Sequence, residues 1–282
     1  MKLQDLLRAL DRPEVDWQVA GERTDGGLGY LPSQGVPSLE EQERLARTAR
    51  HEAADLLAPP KYPRRHDLRA VDGRNLLTPI RDQGSCGSCV AFAACAAVEG
   101  TALRETGATL DLSEAYLFYC VAASEGRRCG GDKMGWFPKR ALAAINEGGV
   151  PDARSFGYHS GDQPCTASAD WKKRAVKVRG WGPLNTPADM KLWISTRGPA
   201  VGSIQIYEDF QVYAGGVYRH VAGDKVGGHA IAIVGYDDHE RYWIVKNSWG
   251  TGWGEDGFVR IAYGQVGIDS GMLGVHGVRV PS

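Results

Sequence analysis

Residues 83–92 read Gln83-Gly84-Ser85-Cys86-Gly87-Ser88-Cys89-Val90-Ala91-Phe92. The glycines and serines break regular structure over 84–88. An alanine-rich run follows, in which Phe92, Cys95, Val98 and Leu103 are spaced to bury one face. This predicts a buried helix over about Cys89 to Thr106, with Cys89 at its N-terminus. A thiol there meets unpaired N–H groups and the positive end of the helix dipole, and both favour the reactive thiolate. The Cys89 N–H would point at a developing oxyanion, and Gln83 can bring its side-chain amide to the same spot. Each such donor is worth roughly 3–4 kcal/mol of transition-state stabilisation in other enzymes. Cys86 and Cys89 also form a C-x-x-C, which on its own leaves three readings open: a redox dithiol, half of a zinc site, or a nucleophile beside a disulfide.

A thiolate nucleophile needs a proton carrier. Of seven histidines, His229 stands where Gly227-Gly228 leads into the apolar run Ala230 to Val234. Further on, Asn247-Ser248-Trp249-Gly250-Thr251-Gly252-Trp253-Gly254 follows another apolar run. Its asparagine could orient an imidazole, and Trp249 could shield that hydrogen bond from water.

With these residues in this order, the chain resembles the papain-like cysteine peptidases. Cys86-Gly87-Ser88-Cys89 matches the first four positions of the C-G-[SA]-C-[WY] signature, whose His and Asn lie about 130–150 residues downstream. His229 lies 140 residues beyond Cys89, and Asn247 lies 158 beyond, slightly past that range. Leu112-Ser113-Glu114, Cys129-Gly130-Gly131 and Gly228-His229-Ala230 add to the resemblance, which runs from about Tyr62 to the C-terminus.

The resemblance implies an α+β fold with a helical half, a β-barrel-like half and an active-site cleft between them. It implies Cys89 as nucleophile, His229 as its acid–base partner, Asn247 as the orienter of His229, and Gln83 with the Cys89 N–H as oxyanion hole. It implies disulfides Cys86–Cys129 and Cys120–Cys165, with Cys95 left as a small core hydrophobe. It implies no cofactor and no metal. The redox reading loses ground because no thioredoxin-like βαβ pattern surrounds the pair. The zinc reading loses ground because no second C-x-x-C or H-x₃₋₅-H supplies ligands. Substrate contacts are expected from Gly130, Gly131, Gly228 and Trp249, with Met134 and Trp136 as walls of the pocket for the second residue before the cut.

The chain departs from the family pattern at four places. Val90 replaces the aromatic that usually follows the nucleophile. Gly228 stands where several relatives carry an acid. The stretch Asp132 to Pro138 is longer than in relatives, and the first 60 residues do not align with the long helical propeptide.

Three segments are expected: an N-terminal pro-segment or cleft-occluding arm over 1–60, a helical half over 61–180, and a β-rich half over 181–282. In the arm, Leu3, Leu6, Leu7 and Leu10 predict a short amphipathic helix. Gly26 to Pro37 reads as extended, and Ser38-Leu39-Glu40-Glu41 as a capping box opening a second helix that ends at Pro59-Pro60. Beyond the Cys89 helix, helices are expected over Leu112 to Tyr119 and Pro138 to Ile145. Strands are expected over Ala200 to Ile206, Gly216 to His220, His229 to Tyr236, Arg241 to Lys246 and Phe258 to Ala262.

The function implied is peptide-bond hydrolysis through a thioester, most simply as an endopeptidase restrained by its own N-terminal segment. An exopeptidase, an acyl-transfer ligase using the same thioester, and a catalytically idle peptide-binding module are the alternatives. With 33 basic and 34 acidic residues, the chain offers no electrostatic footprint for nucleic acid. The run Val90 to Val98 is far short of the ~18 apolar residues a membrane span needs. Two disulfides would favour a secreted or extracellular site, yet Met1 to Arg8 lacks the apolar core of a signal peptide, so a cytoplasmic site stays open.

Overall fold

The structure, a computed structural model, describes residues 2–13, 15–20 and 62–281. The expected extended stretch Gly26 to Pro37 and the Ser38 capping box lie outside the described residues. In chain order the principal elements are α1 (Leu3–Leu10), β1 (Gln18–Val19), β2 (Arg65–Asp67), α2 (Cys89–Thr106), a π-helical segment (Tyr116–Ala122), α3 (Pro138–Glu147), β3 (Lys177–Leu184) and α4 (Pro187–Thr196). There follow β4 (Ala200–Tyr207), the short helix α5 (Glu208–Gln211), β5 (Tyr213–Gly215), β6 (Val217–Tyr218), β7 (Lys225–Asp237), β8 (Tyr242–Lys246), β9 (Phe258–Ala262) and β10 (Met272–Arg279).

The fold is mixed α+β. One sheet runs β3-β10-β4-β7-β8-β9-β6, with β2 also pairing with β7. It is an open path rather than a closed barrel. Among the described residues two hydrophobic cores form. One holds α2, the π-helical segment, α3 and the inner face of β10. The other lies on the sheet side, around β4, β7 and β8. α2 packs against β7, β10 and α3 and so joins the two. Its buried alanines, Ala91, Ala93, Ala94 and Ala97, let it lie close to its neighbours.

The halves are not contiguous in sequence. A boundary at 180 falls inside β3, Leu68, Leu76 and Leu77 pack in the sheet-side core, and Val275 and Val278 return to the helical core. The helix expected from Leu112 starts later, because Leu112 bridges to Asp152 and the turns around Tyr116 widen to a π-helix. Of the strand expected over Gly216 to His220, only Val217–Tyr218 forms, as β6, and a separate strand, β5, precedes it.

Residues 2–13 and 15–20 sit on the sheet side. α1 buries Leu6 and Leu10, and β1 pairs antiparallel with β5. Trp17 is 4% exposed, packs on Tyr213 and Tyr218, and donates its indole N–H to the Arg219 carbonyl at 3.1 Å. Asp16 pairs with Arg219 at 2.9 Å.

Candidate active site

Cys89 is the first residue of α2, and its sulfur faces β7. Ser88 stands at the helix cap but makes no side-chain capping bond. The N–H groups of Cys89 and Val90 therefore remain available at the helix end, and both draw the thiol toward the thiolate. The Ala230 N–H approaches it from the other side at 3.5 Å. The residue after His229 thus touches the thiol directly. Both Cys89 and His229 are fully buried. Burial pushes the Cys89 thiol up to about 12, against the pull of those three N–H groups.

The imidazole is fixed from behind. His229 Nε2 lies 2.7 Å from Asn247 Oδ1. Asn247 follows β8, the neighbour of β7 in the sheet, and its oxygen also accepts the Ser248 N–H at 2.8 Å. The Trp249 ring lies 4.9 Å from the imidazole, backed by Phe210 and Trp253. Only 3% exposed, Trp249 closes this hydrogen bond off from water.

Gln83 is fully buried as well. Its N–H bonds the Ser248 carbonyl, and its Oε1 accepts the Ser248 hydroxyl at 2.6 Å. Its Nε2 donates to the Cys86 carbonyl at 2.9 Å, leaving the second N–H hydrogen of the amide for another acceptor. The pairing of Asp82 with Trp249 and the Gly250 N–H bond to the Arg81 carbonyl tie this loop to the Asn247 loop. Cys86 is bonded to Cys129 and Cys120 to Cys165, while Cys89 and Cys95 are free thiols. Gly87 must be glycine: a Cβ there would lie 2.6 Å from Met134 Cγ and 2.9 Å from the Gly135 nitrogen.

The structure sorts the expected substrate contacts. Gly130 and Gly131 are exposed, and Met134 is half-buried beside Gly87. Trp136 is fully buried in the helical core, with its indole N–H on Glu125 at 3.0 Å. It supports the loop from inside and presents no face to a ligand. Gly228 is buried at the start of the His229 strand. Sequence reasoning passed over Ser248, although it sits in the quoted Asn247 block. It also passed over Tyr158, which has no local motif. The hydroxyl of Tyr158 donates to the Gln83 carbonyl at 2.8 Å and lies 2.6 Å from Ser88 Oγ.

Behind the site a cavity of about 20 Å³ is lined by Arg81, Glu99, Glu114, Lys246 and Asn247, among others. Lys246 donates to Thr78, whose hydroxyl donates to Glu99. Burial raises Glu99, and burial with the neighbouring Glu99 pushes Glu114 up to about 8. Burial lowers Lys246.

A thiol at a helix N-terminus, an imidazole held by an amide, and a buried glutamine beside them form the apparatus of covalent acyl transfer by cysteine. The comparisons with known proteins agree. Residues 62–275 match the model of the papain family cysteine proteases. A cathepsin L-like protein of Caenorhabditis elegans is 36% identical over 205 residues, covering 68% of this chain and 58% of that one. The cysteine endopeptidase Rep1 of Oryza sativa subsp. japonica is 34% identical over 269 residues, covering 89% and 71%. This chain thus spans a little under three fifths of the cathepsin L-like relative. Among solved structures, procathepsin B S9 from Trypanosoma congolense superposes with a TM-score of 0.73 at 22% identity, covering 100% of this chain and 99% of that one. The Carica candamarcensis protease CMS1MS2, solved with E-64, gives 0.63 at 34% identity, covering 76% and 99%. The chain belongs to the papain family of cysteine proteases.

Proposed function

We propose that the protein is a cysteine endopeptidase that cuts peptide bonds through a thioester. One observation carries the reading: Cys89 Sγ accepts the N–H of Ala230, next to His229, whose far nitrogen is held by Asn247 at 2.7 Å. Cys89 thiolate attacks the carbonyl carbon, and the carbonyl electrons move to oxygen, received by Gln83 Nε2 and the Cys89 N–H. Collapse breaks the C–N bond as His229 protonates the leaving amine. His229 then takes a proton from water, whose oxygen attacks the thioester. The acid leaves, and the thiolate–imidazolium pair is restored. Gly130, Gly131 and Met134 are the proposed substrate contacts.

The segment over 1–60 is the proposed restraint on activity. Its first turns hold to the sheet side through Leu6, Leu10 and Trp17, and proforms of related fold are known, the T. congolense procathepsin B among them. With the Cys89 thiol fully buried, the full chain fits a resting form. The two disulfides fit an oxidising compartment, lysosomal or extracellular. Among the described residues no helix is long and apolar enough to cross a membrane.

The test is alkylation by iodoacetamide near pH 6, with peptide mapping and peptide hydrolysis followed together, on the full chain and on a form lacking residues 1–60. The full chain is expected to label slowly. The shortened form is expected to label rapidly at Cys89 alone and to lose hydrolysis in step. Slow or scattered labelling of both forms would refute the activated nucleophile, and equal rates would refute the restraint.

A further inference from the structure

The Gln83 amide is a useful oxyanion donor only if its backbone is held, because each of its own side-chain bonds goes to the loops it must stay fixed against. The Ser248 carbonyl takes its N–H and the Cys86 N–H reaches its carbonyl at 3.4 Å, and the side chain that also holds that carbonyl comes from far away in sequence. Tyr158 Oη donates to the Gln83 carbonyl at 2.8 Å, and the same oxygen lies 2.6 Å from Ser88 Oγ, one residue before the nucleophile. A single hydroxyl therefore joins the residue carrying one oxyanion donor to the residue preceding the other, the Cys89 N–H. With its proton on the Gln83 carbonyl, the phenol accepts from Ser88, which accounts for the serine hydroxyl turning from the helix N–H groups it would ordinarily cap.

The ring is fixed too. It stacks on Tyr119 at 5.6 Å and 26°, and meets Phe92 of α2 edge-on at 4.8 Å. Tyr119 is anchored by its own hydroxyl on the His159 carbonyl at 2.6 Å. Burial raises the Tyr158 phenol, so it stays a donor across the working pH range.

We propose that Tyr158 is a positioning residue for the oxyanion hole, setting Gln83 against the Cys89 end of α2 through its one hydroxyl. It touches no reacting atom. The proposal rests on the peptidase reading and adds to it a residue that no motif marks.

The test compares wild type, Tyr158→Phe and Gln83→Ala as full chains put through the same activation, with every rate expressed per Cys89 titratable by iodoacetamide. This normalisation removes any misfolded fraction. Three quantities are read: kcat and KM for a peptide substrate, the affinity of a peptide aldehyde, and the rate of iodoacetamide alkylation. The aldehyde adds the Cys89 sulfur to its carbonyl carbon, and its oxygen takes the electron pair and a proton. It thus probes the oxyanion site, whereas alkylation probes the thiolate alone.

Tyr158→Phe is expected to lower kcat and aldehyde affinity each about tenfold, the scale of one neutral hydrogen bond, with KM and alkylation rate unchanged. Gln83→Ala is expected to lose more in the same two quantities. Loss in Gln83→Ala with none in Tyr158→Phe would overturn the Tyr158 assignment while leaving the oxyanion reading intact. A parallel fall in alkylation for Tyr158→Phe would also overturn it, since the hydroxyl would then serve the thiolate or the fold. Loss in neither variant would overturn the oxyanion role of Gln83 and the assignment with it.

Discussion

Asn247 acts through one oxygen. Oδ1 accepts from His229 Nε2 and from the Ser248 N–H, so it fixes which imidazole nitrogen carries a proton and which faces away. Trp249 keeps water from competing for that bond. Removing the amide leaves the imidazole free to turn about its Cβ–Cγ bond, and misplacement of a reacting group by about 1 Å costs on the order of 10²-fold. Asn247→Ala is therefore expected to lower kcat/KM by about that factor in steady-state kinetics per titrated Cys89. A loss below twofold would detach Asn247 from the orientation of His229. Cys89, His229, Asn247 and Gln83 were legible as residue types at family spacings. Tyr158 was not, since its role is defined by where its hydroxyl lands across 75 residues of chain.

At the scale of elements, α1 and β1 are short and depend on what they dock against. Eight residues of helix are marginal alone, so α1 persists through burial of Leu6 and Leu10. β1 adds only two residues to β5, and Trp17 supplies the buried area beside it. Truncating a buried tryptophan costs about 3–5 kcal/mol, which falls here on the docking of the segment rather than on the main cores. Trp17→Ala is expected to speed hydrogen exchange in α1 and β1 while protection in α2 and β7 stays as it was. Unchanged exchange in α1 and β1 would mean that Trp17 is not the anchor.

Elements outside the catalytic blocks were less legible. α4 carries a readable sign, since Thr186 and Asp189 form a capping box with Pro187 at the first turn. β3 and β10 were hidden by their glycines, which weaken any strand pattern. Gly274 of β10 has a tertiary reason, because a Cβ there would come within 2.3 Å of the Trp193 ring of α4.

For the whole molecule, the buried acids at the junction of the cores link stability to pH. Glu114, raised to about 8 from an ordinary 4.5, binds its proton in the folded chain where the unfolded chain has lost it. Between those two values the native state holds more protons, so stability falls as pH rises, by up to about 1.4 kcal/mol per unit for one proton. Glu99 acts in the same sense, and Lys246, lowered by burial, acts in the opposite sense toward higher pH. The thermal midpoint of the full chain is expected to drop from pH 5 to pH 8, and Glu114→Gln to flatten that drop. An equally steep fall in the variant would assign the effect to other groups.

The sequence by itself determined the chemistry and the local scaffold that presents it. A glycine-broken loop entering an alanine-rich helix places a thiol at a helix N-terminus, and short-range turn and helix physics suffice for that. Apolar runs ahead of Asn247 and after His229 likewise make strands on local grounds. The tertiary structure decided what depends on contacts between distant residues: the open sheet with β10 between β3 and β4, the return of residues 65–77 and 272–279 to cores far from their neighbours in sequence, and the seat of Trp17 on β5 and β6. It also decided the surroundings of the nucleophile. A helix N-terminus pulls the Cys89 thiol toward the thiolate and burial pushes it the other way, and that desolvation depends on everything packed around the sulfur, which no local pattern records.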